Sequence, residues 1–206
     1  MSIKSMFRKV LRDERGTFSV EAVLMFPMLV WAFMAMYVFF EGLRESNINL
    51  KASYTVADVL SRETEEINMA YLNNMNKIYS WLARTSENTE MRVSVVIWNE
   101  TTQTHELYWS RGVGGKEDLR EEWVKTNVTP HVPIMADRAS AIVVETWVDY
   151  TPIMEIPIMP IGLQETEIYN IVVTAPRFTD QLKFEGMGDG TGSAHDDDVA
   201  DDVDAI

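Results

Sequence analysis

The sequence contains no cysteine in its 206 residues. This absence excludes a disulfide framework, a cysteine-ligated metal centre and a cysteine nucleophile. Any part of the chain that lies outside the cytoplasm must therefore be held together by packing alone.

Histidine is also scarce, and the three that occur are far apart, in a strand-like stretch, a proline-flanked stretch and the tail (His105, His131 and His195). The chain has no His-Glu-x-x-His motif and no nucleophile elbow. The glycine-rich stretch 112–116 does not have phosphate-loop spacing, and Glu117 stands where a Mg²⁺-binding Ser or Thr would be needed. Only a Ser-His-Asp set assembled by folding stays open. We therefore expect no enzyme activity, no cofactor and no metal site.

Basic residues are outnumbered, with 18 Lys and Arg against 32 Asp and Glu and a net charge of −14. Five of the basic and two of the acidic residues lie in residues 1–16, which leaves 13 against 30 and a net charge of −17 for the remainder. So acidic a surface repels a phosphate backbone, and we expect no nucleic-acid partner.

One long apolar run stands out, because Ala22 to Phe40 contains no charged residue and Glu21 is the one charge between Thr17 and Phe40. A helix of roughly 17–25 apolar residues crosses a bilayer, so the run predicts a transmembrane helix. A cleaved signal peptide fits less well, because the run is long and ends in Phe39-Phe40-Glu41 without a small-x-small site.

The residues at the start of this run resemble a known processing site. The stretch Arg15-Gly16-Thr17-Phe18-Ser19-Val20-Glu21 is similar to the cleavage site of type IV prepilins, with a basic leader, a Gly and a Glu five residues later. Together with Pro27 and the Glu41-Gly42 pair, it resembles the TadE-like family of minor pseudopilins of the tight-adherence (Flp) pilus. The likeness covers about residues 12–60. It departs from the family pattern at Ala22, where an aromatic is common, and at Leu43, which follows Gly42.

The resemblance implies that a prepilin peptidase cuts between Gly16 and Thr17, and that Phe18 and Glu21 act in assembly. Cleavage would make Thr17 a free α-amine, which could pair with Glu21 of a neighbouring subunit and remove the cost of burying both charges in lipid. The alternative is that Glu21 lies at headgroup level and reaches water. Pro27 removes one helical hydrogen bond, so we expect a bend there.

The function implied is that of a minor pseudopilin that primes, caps or supports biogenesis of a tight-adherence pilus. Its expected partners are the prepilin peptidase, the major pilin, a sister pseudopilin, the inner-membrane pilus platform and the lipid bilayer. It would be a single-pass protein of the bacterial inner membrane with a periplasmic C-terminal domain, retained there or incorporated in the pilus. The main alternative is a membrane-anchored receptor or ligand-binding protein, and a tethered enzyme is a more distant one.

The chain divides by composition into a basic cytoplasmic leader (1–16), a transmembrane half-helix (17–40), an extracytoplasmic α+β domain (41–180) and an acidic tail (181–206). The tail is rich in Asp and Gly, which predicts disorder, and it lacks the ligand spacing of a calcium loop. We expect a type IV pilin-like fold, in which a long N-terminal helix packs on an antiparallel sheet of about four strands.

Helical periodicity predicts that the first helix continues over 41–65 and that a second helix spans 66–83. Alternation and β-branched residues predict strands over 91–99, 105–111, 141–150 and 166–175, with a short helix over 117–125. Prolines make 151–162 an extended apolar loop or edge. The two helical faces expected to be buried are Leu43, Leu50, Tyr54, Ala57 and Leu60, and then Ile67, Tyr71, Met75, Ile78 and Leu82.

The charge distribution predicts the topology. Five basic residues precede the apolar run, whereas Arg44 and Lys51 are the only ones in the 15 residues that follow it, and such an asymmetry keeps the leader in the cytoplasm. A reporter that is active only outside the cytoplasm, fused after Phe184, should therefore be active. Activity of a cytoplasm-only reporter at the same position would contradict the orientation.

Overall fold

The computed structural model describes residues 17–85, 88–151 and 166–187, and the predicted leader, most of the proline-rich loop and the tail beyond residue 187 lie outside this range. The described chain forms two units. The first contains residues 17–45, 150–151 and 166, and the second contains residues 46–149 and 167–187. The architecture is α+β, with a long N-terminal helix and a four-stranded antiparallel sheet.

Helix α1 runs without interruption over Thr17–Ser61, and helix α2 over Met69–Ala83. The side chain of Asn68 caps α2 by accepting a hydrogen bond from the backbone N–H of Tyr71 at 3.0 Å. Arg84 ends the helix in the left-handed conformation at φ 56°, and its N–H bonds to the carbonyls of Ser80 and Trp81. The two predicted helices are confirmed, although both are shorter than the sequence suggested.

The buried face of α1 differs from the predicted one, because Leu43 and Tyr54 are exposed and Asn49 and Ser53 are buried. The Ser53 hydroxyl donates to the carbonyl of Asn49 at 2.9 Å and lies 2.8 Å from the Thr146 hydroxyl on the sheet. Small and internally bonded polar side chains thus let the helix approach the sheet closely. The buried residues of this segment are Asn49, Ala52, Ser53, Val56, Ala57, Leu60 and Ser61.

The face predicted for α2 is also wrong at Ile78, which is exposed, and only partly right at Tyr71, which is half-buried. Met75 is buried as predicted, whereas the other side chains that α2 buries, Leu72, Tyr79 and Ala83, each follow a predicted position by one residue. Tyr79 accounts for the shift, because its hydroxyl donates to Asn49 Oδ1 on α1 at 3.2 Å and can therefore be buried without losing a hydrogen bond. Burial raises the pKa of Tyr79.

The four predicted strands are confirmed, with the bounds β1 Thr89–Asn99, β2 Thr104–Val113, β3 Ser140–Tyr150 and β4 Thr166–Thr174. Their order in the sheet is β2-β1-β3-β4, so that β1 and β3 are central. Strands β1 and β2 form a hairpin with a register shift between Val95 and Val96.

Each face of the sheet has its own apolar core. Alternate residues such as Val93, Val144 and Val172 face the cluster that includes α1 and α2. Residues on the other face, such as Val143, pack against the connection between β2 and β3. This connection contains the helix predicted near 117–125, which is α3 (Glu121–Trp123) followed by a π-helical turn over Val124–Val128 and a 3₁₀ turn over Thr129–His131.

The packed part of the chain extends past residue 180, where the acidic tail was predicted to begin. Leu182 and Phe184 are buried, and Lys183 and Glu185 exchange backbone hydrogen bonds with Ile67 at 3.0 and 2.8 Å. The indole N–H of Trp109 donates to the Leu182 carbonyl at 2.8 Å. Apolar residues with backbone partners therefore hold this segment against the domain.

A buried ion pair joins the two central strands. Arg92 of β1 and Glu145 of β3 are directly opposite, and Nε and Nη2 of the arginine each lie 2.7 Å from Oε2 of the glutamate. Their side chains are 7% and 2% exposed. The Tyr169 hydroxyl donates to Glu145 Oε1 at 2.9 Å, and burial, together with the charge of Glu145, raises the pKa of this tyrosine.

Two cations, those of Arg92 and Lys116, lie against the indole ring of Trp147. Together with Glu145 and Tyr169 they form a polar cluster. The Arg92 guanidinium is 5.1 Å from the centre of the indole, and the Lys116 ammonium is 4.1 Å from it. Lys116 also pairs with Glu90 at 3.0 Å. Since each buried charge has a partner, the cluster satisfies the conditions under which a folded protein tolerates charge in its interior.

Glu145→Gln should destabilise the domain strongly, because it leaves the Arg92 guanidinium buried without a counter-charge. Breaking a buried pair costs about 3–5 kcal/mol in the free energy of unfolding. Urea unfolding of the full chain in mild detergent measures the change. Glu122→Gln, which removes one member of an exposed pair, is the matched control and should have little effect. Equal stability of the two variants would contradict the role assigned to the ion pair.

Candidate functional site

The strongest candidate site is the apolar half of α1, because most of its side chains are exposed to solvent. Fourteen large apolar side chains between Val20 and Phe40 are at least one-third exposed, and Val38 is a buried exception that packs with Ala35. The helix is the one element among the described residues that is long and apolar enough to cross a membrane. Lipid or other subunits would remove this surface from water.

Glu21 is exposed on this half-helix, with the exposed side chains of Val20, Leu24 and Met25 close to it in the helix. None of the described residues forms an ion pair with it. Thr17 and Phe18 are in the first turn of the same helix, whereas Gly16 lies outside the described range. The arrangement therefore presents one carboxylate on an otherwise apolar surface, four residues after the first helical residue. If this carboxylate were buried, it would need a cation from another molecule as its partner.

Pro27 lies inside α1, and the helix is continuous through it. A proline has no N–H, so the carbonyl of Val23, four residues earlier, has no helical donor at this point. The bend expected at Pro27 stays a prediction. In a membrane helix, such a free carbonyl can be satisfied by a neighbouring side chain.

The end of the apolar half contacts the last residue of β3. The ring of Tyr150 lies beside Gly42, where an added Cβ would be 3.7 Å from the tyrosine hydroxyl oxygen, an ordinary contact distance. Packing therefore does not require glycine here. The hydroxyl is buried and has no hydrogen-bond partner among the described residues, and burial, with the nearby charges of Glu41 and Glu45, raises its pKa.

The chemistry expected of an enzyme would have to come from the histidines or from carboxylate clusters. His105 is buried against the Trp98 ring, and its Nε2 is 3.4 Å from the Pro133 carbonyl oxygen, while His131 is exposed. Within the described residues, no three His, Asp or Glu side chains are arranged to hold a metal ion.

The open depression between the α1–α2 loop and the C-terminal segment is lined by polar side chains of both charge signs, namely Thr64, Glu65, Glu66, Thr179, Asp180, Gln181 and Lys183.

Sequence reasoning missed two features of the domain. The pair of Arg92 and Glu145 could have been suspected, because each charge lies among the apolar and small residues of a predicted strand. Trp81 was overlooked because its neighbours fit a helix core, yet it is 78% exposed.

Comparison of the chain with family models, with curated proteins and with solved structures finds no match.

Proposed function

We propose that this chain is a minor pseudopilin, an assembly subunit of a tight-adherence pilus that a prepilin peptidase processes. The observation that carries the proposal is the division of α1, a single 45-residue helix, into an exposed apolar half and a half packed on a sheet. A spine helix of this kind anchors a subunit in the membrane before assembly and packs against other subunits afterwards. The α+β architecture supports a type IV pilin-like fold.

The position of Glu21 supports the same function. It is the one charge in the apolar half, and it lies five residues after Gly16, where the sequence resembles a cleavage site. Pairing with the Thr17 α-amine of a neighbour would satisfy both charges at one stagger between subunits. The partners proposed are the peptidase, the major pilin, a sister pseudopilin and the inner-membrane platform, with the domain on the periplasmic side.

Processing is the direct test of this proposal. In cells with an active prepilin peptidase, we expect cleavage between Gly16 and Thr17, and intact-mass analysis of the membrane-extracted protein should show a chain that starts at Thr17. Gly16→Leu should block cleavage without changing membrane insertion. A mature chain that still starts at Met1 would overturn the proposal and favour a membrane-anchored receptor.

Glu21→Gln tests the pairing itself. Gln keeps the shape of the side chain and loses its charge, so the α-amine of the neighbour would be left in an apolar place without a counter-charge. Removing one member of a buried pair costs about 3–5 kcal/mol. At about 1.4 kcal/mol per factor of ten, association should weaken by roughly two orders of magnitude or more. The variant should insert normally, but it should lose crosslinking to pilin partners and fail to support piliation.

Glu21→Asp is the matched control, since it retains the charge on a shorter side chain and should keep part of the activity. Normal crosslinking and piliation in Glu21→Gln would rule out the pairing and leave the cleavage assignment unaffected. Urea unfolding of the domain should be the same in both variants, because Glu21 lies in the apolar half of α1.

A further inference from the structure

The outer surface of α2 has an unusual composition for this acidic chain. Residues 67–86 are the longest run in the sequence without Asp or Glu, and they contain Lys77 and Arg84. Both of these side chains are exposed, and neither forms an ion pair with a described residue. Positive charge is thus exposed on this helix, although the chain as a whole is strongly acidic.

Apolar surface lies beside these two cations. The side chains of Trp81 and Ile78 are 78% and 42% exposed, and Trp81 is the most exposed of the six tryptophans. Positions 77, 81 and 84 are spaced by four and three residues, so they lie along one side of the helix. We call Lys77, Ile78, Trp81 and Arg84 together the Trp81 surface.

The part of the sequence that complements this surface is the end of the acidic tail. Residues 196–206 contain six aspartates and no basic residue. The larger apolar residues of this segment are spaced by four and three positions, as on one side of a helix, and they are Val199, Val203 and Ile206. The segment therefore has carboxylates for the two cations of the Trp81 surface and apolar side chains for its tryptophan and isoleucine.

The described chain ends close to the start of α2, within the same unit. The backbone N–H of Glu185 donates to the Ile67 carbonyl at 2.8 Å, and Asn68 caps the helix. Met187, the last described residue, packs against the apolar cluster to which α2 contributes. The tail therefore leaves the domain beside the N-terminal end of the helix that carries the Trp81 surface.

The length of the connection allows the acidic segment to reach this surface. Trp81 is twelve residues further along α2 than Met69, which is a rise of about 18 Å. Residues 188–195 separate Met187 from the acidic segment, and a chain of that length spans up to about 26 Å when it is extended.

We propose that residues 196–206 bind the Trp81 surface of their own chain. Opposite charges attract the segment to Lys77 and Arg84, and its apolar side chains remove Trp81 and Ile78 from water. A segment whose composition predicts disorder can fold as it binds, and a short tether raises its effective concentration to the millimolar range. The proposal concerns the second unit alone and does not depend on the proposed function.

A second exposed tryptophan fits the segment less well and provides a control. Trp123 is 40% exposed, and the Arg120 guanidinium already lies 5.3 Å from the centre of its ring. Glu121 and Glu122 precede it directly and would repel an acidic segment. Its neighbour Val124 packs on the face of the sheet opposite to α2.

The absence of cysteine makes a site-specific test direct. In the full chain in mild detergent, Ala200→Cys provides one attachment point for a bimane fluorophore, whose emission is quenched by a tryptophan in contact with it. Trp81→Phe should raise the emission severalfold, because phenylalanine keeps an apolar ring and does not quench. Trp123→Phe is the matched control and should leave the emission unchanged.

Charge reversal tests the electrostatic part of the contact. Lys77→Glu should also raise the emission severalfold, because it adds repulsion to the Trp81 surface. Lys125→Glu makes the same change in net charge at an exposed position on the other side of the sheet, so it should have little effect. All four substitutions are at exposed positions, and circular dichroism should be the same in each variant.

Equal emission from the Trp81→Phe and Trp123→Phe chains overturns the proposal, and so does an equal effect of Lys77→Glu and Lys125→Glu. Binding to a second copy is distinguished by mixing the labelled Trp81→Phe chain with an excess of unlabelled chain that retains Trp81. Emission that stays high in this mixture supports binding within one chain. Emission that falls shows that the segment binds another copy and overturns the contact proposed.

Discussion

The backbone N–H and C=O groups of an α-helix hydrogen-bond to one another within the helix. The continuity of α1 depends on these bonds. Apart from the helix ends and the Val23 carbonyl, the backbone groups of α1 are bonded within the helix, so α1 continues without interruption from its exposed apolar half to the half that packs on the sheet. Only the side chains change along its length. Between Val20 and Phe40 they are apolar apart from Glu21 and mostly exposed, whereas from Asn49 to Ser61 one side of the helix is buried and includes small and polar residues.

The strands and helices were predictable from the sequence, whereas the residues on the buried faces of the helices were not. Strands β1 and β3 are buried on both sides, so their apolar content alone identifies them. The helix faces depend on contacts between elements. Ser53 is buried because Thr146 lies opposite, and Tyr79 is buried because Asn49 accepts its hydrogen bond. By hydrophobicity alone, Tyr54 is a better candidate for burial than Ser53, because a hydrophobicity pattern contains no information about contacts with residues that are distant in sequence.

The role of the candidate site also depends on contacts that the sequence of one chain does not show. The sequence alone identifies Glu21 as a charge in an apolar helix, and the structure adds that the helix is regular there and that the carboxylate is exposed. Its chemical role depends on a second chain or on lipid, because the charge gains a purpose only when its surroundings exclude water. The residues proposed to act in assembly can therefore be named from one chain, whereas the geometry of the proposed assembly would belong to a complex.

The polar contacts of α1 reach a central strand of the sheet. The hydroxyls of Ser53 and Thr146 lie 2.8 Å apart, and Thr146 belongs to β3, which is paired on both of its edges. Helix α1 is thus bonded to a central strand and not to an edge strand. Arg92 and Glu145 join β3 to β1 one position away, on the opposite face of the sheet. In a chain without a disulfide, the strand to which α1 is bonded is therefore joined to its neighbour by a buried ion pair as well as by backbone pairing and by packing on both faces.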